Sequence, residues 1–393
     1  MAKPLSENTL AIIEATAPVV AEHVDQIVPV MYRRLLAAPE IRALFNMSHQ
    51  HGNSPQHKAL AGALVAYATH IRNPGVLADA LERIAQKHVG LQILPEHYPH
   101  VGEALLGAVA EVLGEAATPE ILNAWGEAYW FLANTLIERE EEIYAGAEEQ
   151  DGGWRGWRRF KVGAKDSETS EIASFTLYPV DGLPVLKHRP GQYLSFRFAP
   201  AEGEEYRRNY SISSAPDGQS YRITVKREPG GRISNWLHDA VEVGAEFDVA
   251  APAGEFFLDP ADKREVVLLS GGVGLTPMIS MLESYGGGDL RMVYVHATRN
   301  GQSHALAATS RAKAHESHVF YEVPEENDVA NGVHTGRVDP NWLVQISDPA
   351  RADYFICGPT GFMQEMVSGL KAANVPDARI HYEFFGPASA QIG

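Results

Sequence analysis

The sequence carries a single cysteine, Cys357. That excludes a disulfide framework within the chain and any thiolate-rich metal site, because both need several thiols. Positive charge is also scarce. Lys and Arg number 33 against 50 Asp and Glu, for a formal net charge of −17. Such a surface repels a phosphate backbone and argues against a nucleic-acid partner. No apolar run approaches the ~20 residues that cross a bilayer, and there is no internal repeat or low-complexity tract. Met1 to Leu10 lacks the basic-then-apolar pattern of a leader peptide. A cytoplasmic monomer without a transmembrane segment is the expectation. What remains is an ordinary globular composition, 45% hydrophobic and 21% charged over 393 residues. At about 100–200 residues per domain, that length predicts two or three domains.

The rhythm of the chain changes twice. In the first 145 or so residues, apolar side chains recur at helical spacing. Leu60, Leu64, Tyr67, Ala68 and Ile71 form one stripe, and Leu77, Leu81, Ile84, Ala85 and His88 another. A long helix is predicted over 121–143, with Trp125, Tyr129, Leu132, Leu136 and Ile143 on one face. Six or so helices with short connections make an all-α domain. The stretch Ala145 to Gly153 (AGAEEQDGG) reads as a linker. Short strands are then expected at 172–177, 193–198 and 221–226, separated by turn pairs such as Asp181-Gly182 and Pro190-Gly191. This pattern predicts an antiparallel barrel or sandwich. From about Lys263, strands at 266–269, 292–295 and 354–357 alternate with helical stretches, as in a parallel α/β sheet. The expected domains are 1–147, 148–262 and 263–393.

Among 16 histidines, His88 stands out, because it continues the apolar face of its helix near the helix end. A neutral imidazole there can point a ring nitrogen into a pocket and bind iron. Ile84-Ala85-Gln86-Lys87-His88, with Tyr98 ten residues further on, resembles the proximal haem site of the flavohaemoglobins. Leu44-Phe45-Asn46-Met47-Ser48 resembles that family's helix corner. The resemblance spans the whole helical half and implies a globin fold holding haem b, with His88 as iron ligand and Phe45 against the haem edge. It implies Tyr32 as the distal tyrosine, with Gln56 and Leu60 also facing the distal side. A phenol at that position donates to dioxygen, a charge-assisted bond worth roughly 1.5–3 kcal/mol. On the proximal side it implies Glu140, held by Tyr98, as acceptor for the second ring nitrogen of His88. Pulling on that N–H strengthens the imidazole as an electron donor and favours O–O chemistry over oxygen storage. Taken alone, Glu140 is one of several acids in the run Glu138–Glu142. Lys87 reads equally as a haem-edge residue or as a surface lysine.

In the second part, Arg208-Asn209-Tyr210-Ser211 matches the R-x-Y-S pattern of ferredoxin reductase-like flavoproteins. Arg208 offers a planar fork to the flavin pyrophosphate. Tyr210 would lie along the isoalloxazine, and the Ser211 hydroxyl would reach the ring nitrogen that receives hydride. Upstream, Arg189-Pro190-Gly191-Gln192-Tyr193 is a second such block, with Tyr193 flanking the flavin. Downstream, Gly230-Gly231-Arg232-Ile233-Ser234 reads as a cradle for the FAD pyrophosphate, with Ser234 capping the next helix. A plain β-to-α turn is the alternative reading.

In the third part, a buried strand leads into Gly272-Val273-Gly274-Leu275-Thr276-Pro277. The spacing predicts a helix over 278–285, with Thr276 as N-cap and Pro277 in the first turn. The glycines let a pyrophosphate approach the helix amides, although the last glycine of G-x-G-x-x-G is missing. The stretch does fit the reductases' G-x-G-x-T-P pattern. Cys357-Gly358-Pro359 ends a strand where open α/β sheets place ligands, and in this family it lies by the nicotinamide. His381-Tyr382-Glu383-Phe384-Phe385-Gly386-Pro387 resembles the block covering the flavin face, though many relatives have Cys where Phe384 stands. Glu383 is expected to tune electron transfer between flavin and haem. Arg299 reads either as a contact for the 2′-phosphate of NADPH or as a surface residue, so NADH and NADPH both stay open.

The resemblance as a whole implies a nitric oxide dioxygenase. NAD(P)H reduces FAD, FAD reduces haem, and dioxygen with nitric oxide gives nitrate. An oxygen-binding or sensing globin with an attached reductase is the rival from another class. Reduction of peroxides or lipid hydroperoxides, and a lipid or other apolar ligand on the distal side, are compatible with the same residues. A ferric or flavin reductase acting without haem is a further alternative.

Overall fold

In the computed structural model, residues 4–45, 55–330 and 332–385 are described, apart from the side chains of residues 55, 56, 58, 59 and 330. Two compact units emerge. The first runs to Glu149, and the second holds most of the remaining chain.

The first unit is all-α. Its helices are α1 (Glu7–Glu22), α2 (Val24–Leu35), α3 (Pro39–Arg42), α4 (Pro55–Thr69), α5 (Ala78–Leu91), α6 (Tyr98–Leu113) and α7 (Pro119–Glu148). Ser6 caps α1 by accepting from the Thr9 amide at 3.1 Å. Thr118 does the same for α7, where Pro119 takes the first position and gives up no bond. Helix α7 packs against α1, α5 and α6, and α2 packs against α4 and α6. Small residues such as Ala85, Ala108, Ala128 and Ala133 are buried at these crossings, alongside Ile13, Ile27, Tyr67 and Trp125. The predicted stripe buries Tyr67 and Ala68 on α4, and Ile71 in the turn that follows it. One expectation fails. The linker read from Ala145 does not begin there, because α7 continues to Glu148. Ala145, Ala147 and Glu148 are good helix formers, and together they outweigh Gly146.

The second unit contains two sheets. The first is antiparallel, with β1 (Arg158–Ser167), β2 (Ile172–Pro179), β3 (Tyr193–Phe198), β4 (Tyr206–Ser211), β5 (Tyr221–Lys226) and β6 (Glu246–Val249), and helix α8 (Arg232–Asp239) lies between β5 and β6. The strand order is β4-β3-β6-β1-β2-β5. Near the edges the isolated bridge Ile212–Ile223 joins the end of β4 to β5, so among the described residues the expected barrel is an open one.

The second sheet is parallel. Its elements are β7 (Glu265–Gly271), α9 (Leu275–Tyr285), β8 (Arg291–Thr298), α10 (Ala307–Lys313), β9 (Glu316–Tyr321), α11 (Glu326–Ala330), β10 (His334–Thr335), α12 (Pro340–Ile346), β11 (Ala352–Cys357), α13 (Thr360–Ala372) and β12 (Ile380–Glu383). The order β10-β9-β8-β7-β11-β12 puts the topological switch at β7 and β11, where ligands bind beyond the strand ends. Both central strands are buried along their whole length, which explains their continuous apolar runs. Polar contacts tie the two sheets together. Ser280 donates to the Ser214 carbonyl at 2.8 Å, beside the buried His188, and Arg222 pairs with Glu283 at 2.7 Å.

Two capping expectations are corrected. Helix α9 starts at Leu275, with Gly274 at the N-cap, so Thr276 lies inside the first turn and donates to the Val273 carbonyl at 3.2 Å. Helix α8 is capped at Gly231, and Ser234, in its first turn, accepts from the Glu228 amide at 3.1 Å. In both places a glycine ends the preceding tight turn, and the helix begins as soon as it is passed.

Candidate functional site

In the first unit, three helices bring one cluster together. His88 lies in the last turn of α5, Tyr98 opens α6 and Glu140 lies late on α7. Tyr98 is pinned through its backbone, since its carbonyl accepts from the Tyr129 hydroxyl at 2.5 Å. Gly102, one turn on, leaves room for the Tyr129 ring, which a Cβ there would meet at 2.7 Å. The Tyr98 hydroxyl donates to Glu140 Oε1 at 2.6 Å. The same oxygen lies 2.7 Å from His88 Nδ1, and the Tyr98 oxygen lies 3.1 Å from it. Since the Tyr98 proton is committed to Glu140, Nδ1–H of His88 is the donor to the carboxylate, and Nε2 carries the lone pair. Glu140 is 2% exposed, so the bond operates away from water. Burial, and after it the neighbouring carboxylate, pushes the Tyr98 phenol well above its ordinary range.

Nε2 of His88 has no hydrogen-bond partner among the described residues, and the side chain is about one-third exposed. No group of three or more metal-binding side chains occurs among the described residues. One basic imidazole nitrogen, fixed from behind by a carboxylate, suits a metal whose remaining nitrogen ligands come from a macrocycle. The residues therefore fit haem.

On α2, Tyr32 is 5% exposed, and burial pushes its phenol up to about 12. It remains a donor at neutral pH. Phe45 meets it edge-on at 5.9 Å between ring centroids. His57, on α4, stacks on it at 4.2 Å with 29° between the planes. Sequence reasoning passed over His57, because nothing in the spacing says that α2 and α4 face each other. Leu60 packs against the same small cluster. The Gln56 side chain lies outside the described residues, as do Asn46, Met47 and Ser48. Lys87 is exposed.

In the antiparallel sheet, Tyr193 is buried on β3, and Gly254, at φ +110°, makes way for its ring. Tyr210 is half-buried and sits edge-on to Phe196 at 5.9 Å. Asn209 is exposed and accepts from the Ser195 hydroxyl at 2.8 Å. Arg208 is half-buried over the Tyr206 ring, and its Nη1 donates to the Arg207 carbonyl at 2.7 Å. Ser211 Oγ is buried without a hydrogen-bond partner among the described residues. A buried hydroxyl in that state costs about 1–3 kcal/mol unless something binds it, and a flavin ring nitrogen would do so. Gly230 takes the left-handed conformation at φ +72°. Helix α8 starts two residues after it, with no side-chain hydrogen bond from its N-cap residue Gly231, and a helix start is a place where backbone amides can meet an anion. This set fits FAD.

At the carboxyl ends of β7 and β8 lies a cleft of about 520 Å³. Of the predicted nucleotide residues, Gly272, Val273 and Pro359 line it. Gly274, Leu275, Thr276, Pro277 and Cys357 are buried and do not. Gly358 is half-buried next to Gly271. Gly274 serves packing, since a Cβ there would run into the Cys357 carbonyl. Burial pushes the Cys357 thiol up, and Glu383 adds to this, so the thiol is held protonated. The cleft also presents three cations, of which Arg337 belongs to no motif. Lys226 comes from β5 and Arg337 from the loop after β10, and they join Arg299. Acids stand among them, with Arg299 3.7 Å from Glu171 and Arg337 3.3 Å from Glu322. Glu383 sits opposite Cys357 in the β11–β12 ladder. Phe384 packs on the core of the parallel sheet and meets Tyr382 edge-on at 5.8 Å, while Phe385 is exposed. Gly386 and Pro387 lie outside the described residues.

Three family models match in chain order. One described as globin matches residues 29–136, an oxidoreductase FAD-binding domain matches 159–258, and an oxidoreductase NAD-binding domain matches 268–368. The chain is 48% identical to a flavohemoprotein of Xylella fastidiosa, over the full length of both. It is similar in structure to the flavohemoglobin of Malassezia yamatoensis with bound FAD and heme. That match has a TM-score of 0.85 and 30% identity, covering 98% of this chain and all of the other. It is also similar to the FAD/NAD-binding domain of a nitric oxide dioxygenase from Vibrio cholerae, with a TM-score of 0.52 and 36% identity over 61% of this chain and all of that one.

Proposed function

Because the chain belongs to the flavohemoprotein family, we propose that it is a nitric oxide dioxygenase fed by NAD(P)H. When bound, FAD would accept hydride from NAD(P)H and pass it on as two single electrons, its proton going to solvent, and haem would supply the iron at which those electrons and dioxygen turn nitric oxide into nitrate. We assign haem binding to 1–147, FAD binding to 148–262 and NAD(P)H binding to 263–393, and each family model matches inside one of these ranges.

The observation that carries the reading is the buried Glu140 carboxylate, which accepts from both His88 Nδ1 and Tyr98. It holds the imidazole in one tautomer and one orientation and makes Nε2 a stronger donor, which a protein that only stores oxygen does not need. Tyr32 keeps its proton and supplies a hydrogen bond on the opposite side. Arg208 and the start of α8 hold the flavin phosphates, and Ser211 meets the flavin ring. Gly272 and Val273 let the dinucleotide phosphates approach the start of α9. Similarity to the Vibrio cholerae nitric oxide dioxygenase domain supports the same reading.

The test is anaerobic stopped-flow. The holoprotein is reduced with NADH, mixed with dioxygen and then with nitric oxide. Rapid loss of nitric oxide is expected, and loss no faster than in buffer would refute the assignment. A purified protein with flavin absorbance and no Soret band would equally refute it.

A further inference from the structure

We propose that His57 is a positioning residue for Tyr32, fixing the phenol's orientation by stacking on its ring. The inference rests on the distal role proposed for Tyr32.

A hydrogen bond from Tyr32 is useful only if its hydroxyl is aimed. The backbone of α2 fixes where the side chain leaves the helix. It does not fix rotation of the ring about its own axis, because that torsion is broad for aromatic side chains. This rotation leaves the hydroxyl oxygen in place but turns the ring plane, in which the phenolic O–H bond prefers to lie, and so sets where the proton points. Contacts with the ring must supply the constraint. The cluster around Tyr32 otherwise consists of small or aliphatic groups, with Val28 one turn earlier on α2, Ala61 on α4 and Leu60 nearby. Phe45 touches the ring nearly perpendicular, at 80°. The flat surface lying along the ring is the imidazole of His57, 4.2 Å away and 29° from parallel. His57 is 9% exposed. It stands one turn before Ala61, so the same face of α4 presents both residues. The small side chain of Ala61 lets the helices approach closely enough for the rings to stack. Edge contact on one side and face contact on another leave the phenol a single orientation. Any flat ring of similar size should do this, so the proposal concerns shape and not proton transfer.

The experiment uses the reduced holoprotein, with carbon monoxide and dioxygen as probes. Two quantities are read: the C–O stretching frequency, which responds to a hydrogen bond from Tyr32, and the rate of dioxygen release. His57→Ala should release dioxygen roughly two- to tenfold faster, the span an aromatic contact is worth. It should also move the C–O stretch toward that of Tyr32→Phe. His57→Phe, which keeps a flat ring, should restore both. Adding His57→Ala to Tyr32→Phe should change nothing more. If the alanine variant does not take up haem, His57→Leu, of similar bulk without a ring face, replaces it with the same expectations. The proposal falls if the alanine or leucine variant matches the wild type. It also falls if His57→Phe behaves like His57→Ala, or if the double variant is clearly faster than Tyr32→Phe. Tyr32→Phe alone reports on the underlying assignment. If it alters neither quantity, the distal role of Tyr32 is wrong, and that failure is distinct from a failure of the stacking argument.

Discussion

Replacing Glu140 with glutamine removes a charge while keeping shape and an acceptor oxygen in place. In the native protein, Glu140 Oε1 accepts from His88 Nδ1 at 2.7 Å and from Tyr98 at 2.6 Å, in a site shielded from water. Hydrogen bonds to a charged acceptor contribute about 1.5–3 kcal/mol, and neutral ones about 0.5–1.5. Each bond should therefore weaken by roughly 1–1.5 kcal/mol. Only the bond to His88 acts on the iron ligand. A weaker pull on Nδ1–H makes Nε2 a poorer donor, which destabilises ferric relative to ferrous haem and raises the potential. The weakening moves the potential only as far as it falls harder on the ferric state, so at 59 mV per tenfold change for one electron the expected rise is at most about 65 mV. The assay is spectroelectrochemical titration of the Soret band in holoprotein whose haem content and circular dichroism match the wild type. An unchanged or lower potential would refute the argument that Glu140 tunes the haem through His88.

The same geometry predicts three further outcomes. Tyr32→Phe should speed dioxygen release by roughly ten- to a hundredfold, the worth of one charge-assisted hydrogen bond, and an unchanged rate in a flash or mixing experiment would remove Tyr32 from the distal side. Arg208→Ala should lose FAD on gel filtration, read from flavin absorbance, whereas full retention would show that another group holds the pyrophosphate. His188 and His304 are buried, and burial lowers each to about 4. Their folded values lie below the ordinary 6.5, so the unfolded chain binds more protons between those limits and stability falls as pH drops from about 6.5 to 4. Each should cost on the order of 2 kcal/mol by pH 5. Urea unfolding of the second unit at pH 7 and pH 5 checks this, and equal midpoints would contradict it.

Much of the architecture is legible in the residue pattern. Strands 193–198 and 221–226 coincide with β3 and β5, because apolar runs between clear turn residues leave little choice of boundary. The central strands of the parallel sheet announce themselves as unbroken apolar runs, a consequence of burial on both faces. Helix starts are less legible. Thr276 and Ser234 are good capping residues by type, but glycine turns just upstream take the cap position and leave them inside the helix. The proximal cluster is legible only with the family pattern in hand. His88 and Glu140 are 52 residues apart, and only the packing of α5 and α6 on α7 makes them neighbours. His57 and Arg337 have no local signal at all. The first matters because α4 faces α2, and the second because a loop after a two-residue strand reaches the cleft.

The central claim is that this chain oxidises nitric oxide with dioxygen, and labelled dioxygen tests it most directly. The holoprotein turning over with NADH, nitric oxide and oxygen-18 gas should yield nitrate in which both atoms of one dioxygen molecule are found. Nitrate formed without the label, or labelled water as the main product with nitric oxide untouched, would contradict the account.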